Sequence, residues 1–192
     1  MRVEKLHFKN INSLRGEWTI DFNAPELSCS GLFLITGPTG AGKSSILDAI
    51  TIALYGKTPR LDRLGLSGNE VMTRHTAECF SEVTFTSGGK SYLSRFVQRR
   101  ARGKKDGKLI KPDFSFKDLS DNQSYSGSNA VKEQVVRVTG LTYEQFSTSV
   151  LLAQGKFTEF LKSPIDDRAR ILEQITGTEI YSQISMQVYA RQ

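Results

Sequence analysis

The chain has 192 residues, 38% hydrophobic and 24% charged, with Lys+Arg 26 against Asp+Glu 20 and a net charge of +6. That balance excludes a disordered or fibrous chain and suits one domain, or most of one, with a sizeable core. No apolar run approaches the ~20 residues that span a bilayer, and no signal-peptide core follows Met1. Cys29 and Cys79 have no second Cys or His at ligand spacing, which argues against zinc or a disulfide framework and for two reduced thiols.

In chain order, residues 3–8 and 17–22 alternate apolar and polar positions and predict two strands, the second carrying Trp18, Ile20 and Phe22. Gly31-Leu32-Phe33-Leu34-Ile35 is a short continuous apolar run, the pattern of a strand buried on both faces. Ile46, Leu47, Ile50, Ala53 and Leu54 recur at helical spacing and predict a helix ending at Gly56, after which residues 57–77 are irregular. Val83 and Phe85, then Ser87-Gly88-Gly89, then residues 92–97 predict a β-hairpin. Its second strand runs into a loop at residues 103–107, and Phe114 and Phe116 suggest a further strand. Val131, Val135 and Val138 suggest a helix closed by Gly140. Ser163-Pro164 with Asp166 and Asp167 marks a helix start. A final helix from about Thr178 carries Tyr181, Ile184 and Val188 as an a/d-like stripe and reaches Gln192 without a stop signal, as if cut in mid-helix.

Gly37-Pro38-Thr39-Gly40-Ala41-Gly42-Lys43-Ser44 matches G-x-x-x-x-G-K-[ST] in full, between the apolar run and an amphipathic helix. The three glycines let successive N–H groups turn toward phosphate oxygens, and the helix start adds its positive dipole end. Lys43 would reach the β- and γ-phosphates of ATP, and the Ser44 hydroxyl would complete a Mg²⁺ shell. The alternative is a glycine-rich turn that ends in Lys-Ser by chance. Hydrolysis also requires an acid on an apolar strand to hold the metal, and no run of four apolar residues here ends in Asp or Glu. Asp21 and Asp48 read as structural carboxylates. The chain thus carries a nucleotide cradle and lacks part of a catalytic set.

Several blocks beyond this loop carry a resemblance. Lys9-Asn10-Ile11-Asn12-Ser13-Leu14, the run from Ile35 through Ser44 and Ser45 to Ile50, Ala53-Leu54-Tyr55-Gly56 and Met72-Thr73-Arg74 resemble the SMC-like ABC ATPases of DNA repair. Ser149-Val150-Leu151-Leu152-Ala153-Gln154-Gly155-Lys156-Phe157, with the block from Leu172 to Tyr181, is similar to their SbcC branch. The resemblance implies an α/β fold with α+β elements: residues 1–177 as the N-terminal lobe of a split P-loop ATPase head, with a β-hairpin subdomain, and residues 178–192 as the start of a coiled coil. It implies that Gln154, in a Q-loop at residues 150–157, contacts Mg²⁺ or its water. It also implies that Asn10, Asn12 and Ser13 approach the nucleotide, and that Thr73 and Arg74 lie near the base. Without the resemblance, Gln154 would read as a polar strand end. The implied partners are the chain's own C-terminal lobe, a second head in an ATP-bound homodimer, an SbcD-type nuclease and duplex DNA, in a cytoplasmic, nucleoid-associated setting with no membrane. The chain alone is expected to be nearly inactive, because the signature motif and the acidic strand belong to the other lobe. Leu66-Ser67-Gly68-Asn69-Glu70 resembles that signature, but Asn69 replaces its second glycine and the block precedes Gln154.

Residues 95–111 hold eight cations (Arg95, Arg99, Arg100, Arg102, Lys104, Lys105, Lys108 and Lys111) against Asp106 alone, a net of +7 that leaves the rest of the chain at −1. In the basic hairpin of residues 79–111 they suit a flexible loop tracking a phosphate backbone without base readout, or else a solvated hairpin tip. Two other whole-chain readings are a complete small-molecule P-loop kinase, whose Arg-rich lid this segment could mimic, and a DNA-binding module with a vestigial P-loop.

Overall fold

The computed structural model describes residues 1–28, 34–59, 71–149 and 164–165. The chain divides into two compact units, Met1–Leu141 and Thr142–Gln192. The expected lobe boundary at residue 177, the helices expected from Ser163 and Thr178, Gln154 and the signature-like block at 66–70 all lie outside the described residues, Pro164 and Ile165 excepted.

In the first unit, β1 (Arg2–Ile11), β2 (Leu14–Asp21), β3 (Glu78–Ser87), β4 (Lys90–Arg99), β5 (Asp113–Asp118) and β6 (Ser124–Ser126) form one sheet. Its order is β2-β1-β3-β4-β5-β6, and every adjacent pair is antiparallel. The short α1 (Pro25–Ser28) follows β2; α2 (Lys43–Tyr55) and α3 (Ser128–Thr139) pack on one sheet face. Period-two patterning explains that face. Cys79, Ser81, Val83 and Phe85 of β3 are buried, as are Tyr92, Ser94, Phe96 and Gln98 of β4, while the intervening residues point the other way. Leu6, Phe8, Phe85, Phe96, Phe116, Ile52 and Leu54 make the centre of the core.

The hairpin register follows from Gly88 and Gly89, whose φ values of +56° and +78° suit the two-residue turn that matches strand twist. Ser87 therefore faces Lys90, the first of ten consecutive pairs that run down to Glu78 and Arg99. The helices on residues 43–55 and 128–139 end as expected, with Gly56 and Gly140 in the left-handed region, each donating its N–H to a carbonyl four residues back.

One expectation is corrected in part. Residues 31–33 lie outside the described residues, but Leu34 and Ile35 carry no strand assignment, and Leu34 is 85% exposed. A short apolar run has no fixed conformation of its own, and no described strand pairs with Leu34 or Ile35.

In the second unit, α4 (Tyr143–Ser149) starts at a reciprocal cap. Gln145 N donates to Thr142 Oγ1 (3.3 Å) and Thr142 N to Gln145 Oε1 (2.7 Å).

Candidate functional site

Residues 34–41 form an exposed loop that enters α2 through Gly42. Ala41 N donates to Pro38 O (3.2 Å) and Ser45 N to Gly42 O (2.9 Å), so the loop closes as a turn directly on the helix. Gly42 has φ +91°, and a Cβ there would lie 2.6 Å from Leu14 Cδ2 and 3.1 Å from Ser13 Oγ. Only glycine lets the β1–β2 turn rest against this backbone. The first turn of α2 carries no acid, so its free N–H groups and Lys43 make the loop electropositive. The Lys43 ammonium is folded over the loop and donates to Gly37 O (2.7 Å) and Pro38 O (2.9 Å). Ser44 is exposed, whereas Ser45 is buried beneath it.

The flanking elements hold this loop by a second set of contacts. Asn10 and Asn12 both take left-handed backbone conformations, with φ of +53° and +50°, which turns β1 sharply at its end. Thr73 N donates to Asn10 O (2.9 Å), Asn12 N to Val71 O (2.6 Å) and Thr73 Oγ1 to Asn12 O (2.8 Å). These bonds bind residues 71–73 to the turn. Asn12 Nδ2 donates to Asp48 Oδ2 (2.7 Å), a carboxylate buried on α2 one turn beyond Ser44.

Asn12, Ser13, Thr73 and the glycine loop thus form one cluster, with Asp48 inside it. The sequence names Asp48 as a structural carboxylate, and the structure supplies its partner on the helix face it shares with Ser44. Asn10 serves differently. Its amide donates to Glu78 O (3.0 Å) and accepts from Gly16 N (2.9 Å), so both ends hold the scaffold. Arg74 is exposed.

The eight cations of residues 95–111 fall into three groups. Arg95 Nε lies 3.6 Å from Glu82 Oε2, with its guanidinium over the Phe80 ring, and Arg99 Nε lies 3.9 Å from Glu78 Oε2. Both sit on the sheet face opposite α2, beside the Lys9–Glu78 pair (2.7 Å) and His7–Glu17 (2.7 Å). The Lys9 hydrogen bond holds the Glu78 carboxyl below the usual range against an opposing effect of burial, and the same bond raises Lys9. Arg100 Nη1 donates to Gly107 O (3.0 Å) and so shapes the tip from within.

Arg102, Lys104, Lys105, Lys108 and Lys111 are exposed and make no ion pair among the described residues. The tip has its own hydrogen-bonded structure. A 3₁₀ turn at Ala101–Gly103, with Ala101 N to Lys108 O (2.8 Å), Gly107 N to Lys104 O (2.9 Å) and Ile110 N to Arg99 O (2.9 Å), closes it as a hydrogen-bonded extension of the hairpin.

Comparison with known proteins adds to this geometry. The AAA domain family matches residues 5–191. The chain is 41% identical over 208 aligned residues to the SbcC subunit of nuclease SbcCD from Pseudomonas aeruginosa, covering 100% of this chain and 17% of that protein. Identity is 42%, with the same coverage, to the corresponding SbcCD subunit of Rhodobacter capsulatus. A probable DNA double-strand break repair Rad50 ATPase of Aquifex aeolicus is 32% identical over 93% of the chain and 17% of its own length. The chain therefore spans about a sixth of the length of these relatives. A solved chain from work on ATP-driven dimerization and DNA stimulated activation of SMC ATPases matches at TM-score 0.58 and 18% identity, over 91% of this chain and 99% of that one, which is a likeness of fold.

Proposed function

Since the chain belongs to the AAA domain family, in the N-terminal ATPase region of the SbcC type, we propose that it is the ATP-binding part of an SMC-like DNA repair ATPase. The observation that carries this reading is the exposed glycine loop, with the Lys43 ammonium folded over it and a helix start free of acids behind it. Backbone N–H groups and the helix dipole would take the phosphates, with Lys43 neutralising the terminal ones. The donor set is compatible with Mg²⁺, because Ser44 offers an exposed hydroxyl and phosphate oxygens and water supply further ligands, with Gln154 and the acid of the other lobe left to complete the site. When bound, the ion neutralises phosphate charge. Asn12, held by Asp48, and Ser13 flank the loop on the β1–β2 side, and Gln154 would approach from residues 150–157.

In the whole protein, the nucleotide held here would be closed by a second head, and engagement would form a surface that clamps duplex DNA and controls an SbcD-type nuclease. The tip cations Arg102, Lys104, Lys105 and Lys108 support the DNA part of this reading, since exposed cations around a small turn suit sequence-independent phosphate contact.

The test uses the full-length protein with its nuclease partner. ATP-Mg²⁺ binding by calorimetry and steady-state hydrolysis should both be present in the natural protein. Lys43→Ala should weaken binding about tenfold or more and abolish turnover. Phosphoryl transfer from ATP to a nucleoside or small metabolite, or turnover unaffected by Lys43→Ala, would overturn the reading.

A further inference from the structure

The sheet face opposite α2 and α3 carries a cleft that the nucleotide site does not use. It has a volume of about 260 Å³ and is lined by Arg95, Arg99 and Lys111, by Val97 and Ile110, and by Asp113. Small-molecule sites occupy roughly 300–1,000 Å³, so this space suits a few side chains of a partner and not a whole cofactor. Its pattern is regular. Arg95, Val97 and Arg99 follow one another on the same face of β4, so a cation stands about 7 Å to each side of an apolar residue. Ile110, 50% exposed, adds apolar surface beside them. Each guanidinium turns its Nε toward β3 at more than hydrogen-bonding distance, and Arg95 Nε is buried with no hydrogen bond. A guanidinium has five N–H donors, and a carboxylate takes two of them in parallel.

The charge balance separates this cleft from the hairpin tip. Around the cleft, Arg95, Arg99, Lys111 and Lys9 stand with Glu78, Glu82, Asp113 and Glu17, so the formal charges balance. A nearly balanced face exerts little long-range pull on a polyanion, and the apolar residues find no counterpart on a sugar–phosphate backbone. Short-range pairing with isolated carboxylates, together with apolar contact between them, uses both guanidinium groups and the apolar residues between them.

We propose that this cleft is a docking site for an extended acidic segment of a partner protein, with one carboxylate on Arg95, another on Arg99, and an apolar side chain between them against Val97 and Ile110. In an extended segment, side chains on one face recur every second residue, so the ligand reads acid, apolar, acid at alternate positions. This inference is independent of the nucleotide reading.

A phage-displayed library of short random peptides, selected on the full-length protein with excess duplex DNA present, tests it. The expected result is enrichment of that alternating pattern. The enriched peptide, measured by fluorescence anisotropy, should bind at least about tenfold more weakly to the double variant Arg95→Ala/Arg99→Ala, the loss expected for charge-assisted hydrogen bonds. It should bind unchanged to Lys104→Ala/Lys105→Ala. Should the double alanine variant fail to fold, Ile110→Asp probes the same cleft from a half-exposed position and should give a similar loss. No enrichment, a neutral or basic consensus, or binding insensitive to both cleft variants would overturn the proposal. So would duplex DNA competing for the cleft with the same sensitivity to Arg95 and Arg99, which would make it a nucleic-acid surface.

Discussion

Gly42 takes part in three requirements at once: the N-terminus of α2, a left-handed backbone, and close packing by Leu14 and Ser13. The glycine loop is legible in the sequence, but the reason its last glycine cannot change comes from a turn nearly thirty residues earlier. Gly42→Ala should destabilise the first unit by about 1–3 kcal/mol through backbone strain alone, with the Leu14 contact adding to it. Thermal unfolding followed by circular dichroism would read this, and an unchanged midpoint would show that the turn can move aside. The two asparagines beside it have the same role by resemblance, yet they differ in use. Asn10 spends both amide ends on Glu78 and Gly16, whereas Asn12 reaches the helix that begins at the glycine loop.

At the scale of elements, α2 is held on the hairpin by two buried hydroxyls. Ser81 Oγ of β3 donates to Ala49 O (2.7 Å) and Ser94 Oγ of β4 to Ala53 O (2.6 Å), one helical turn apart. In sequence these serines look like the polar half of an alternating strand. Their burial follows from register, since they share a face with Val83 and Phe96. Each bond contributes about 1 kcal/mol, so Ser81→Ala/Ser94→Ala should cost roughly 1–3 kcal/mol together. Chemical denaturation with an unchanged m-value would show it as a loss of stability in the same fold. A cost near zero would mean that helix packing alone seats α2. The β3–β4 hairpin itself was legible because Gly88-Gly89 encodes its turn locally. The end of the apolar run at residues 31–35 was not, because apolar residues become a strand only when a neighbour pairs with them, and Leu34 and Ile35 have none among the described strands.

For the whole molecule, the +6 of the sequence is a property of one segment, and the structure divides that segment by what each cation touches. Arg95 and Arg99 belong to the sheet face, Arg100 to the inside of the tip, and the exposed cations of residues 102–108 to its surface. Substituting Arg100 would therefore alter the shape of the tip as well as its charge. Lys104→Ala/Lys105→Ala/Lys108→Ala in the full-length protein is the cleaner experiment. If the tip lies on duplex DNA, the slope of log affinity against log salt should become shallower by about 2–3, close to one for each lost phosphate contact. An unchanged slope would remove the tip from the DNA surface, leaving the nucleotide site unaffected.

The sequence by itself determined the glycine loop and the helix that follows it, the hairpin and its register, the glycine stops of two helices, and the family. The structural elements are written in neighbouring residues or in a period of two or 3.6, which local sterics and hydrogen bonding suffice to read, and the family in motif blocks that resemble it. Tertiary structure alone decided which polar groups are engaged and which are free. Asn10 meets Glu78, Asn12 meets Asp48 and Lys9 meets Glu78 across chain separations that no local pattern spans. A buried amide or a paired guanidinium is defined by the group opposite it, and sheet pairing brings that group from elsewhere in the chain.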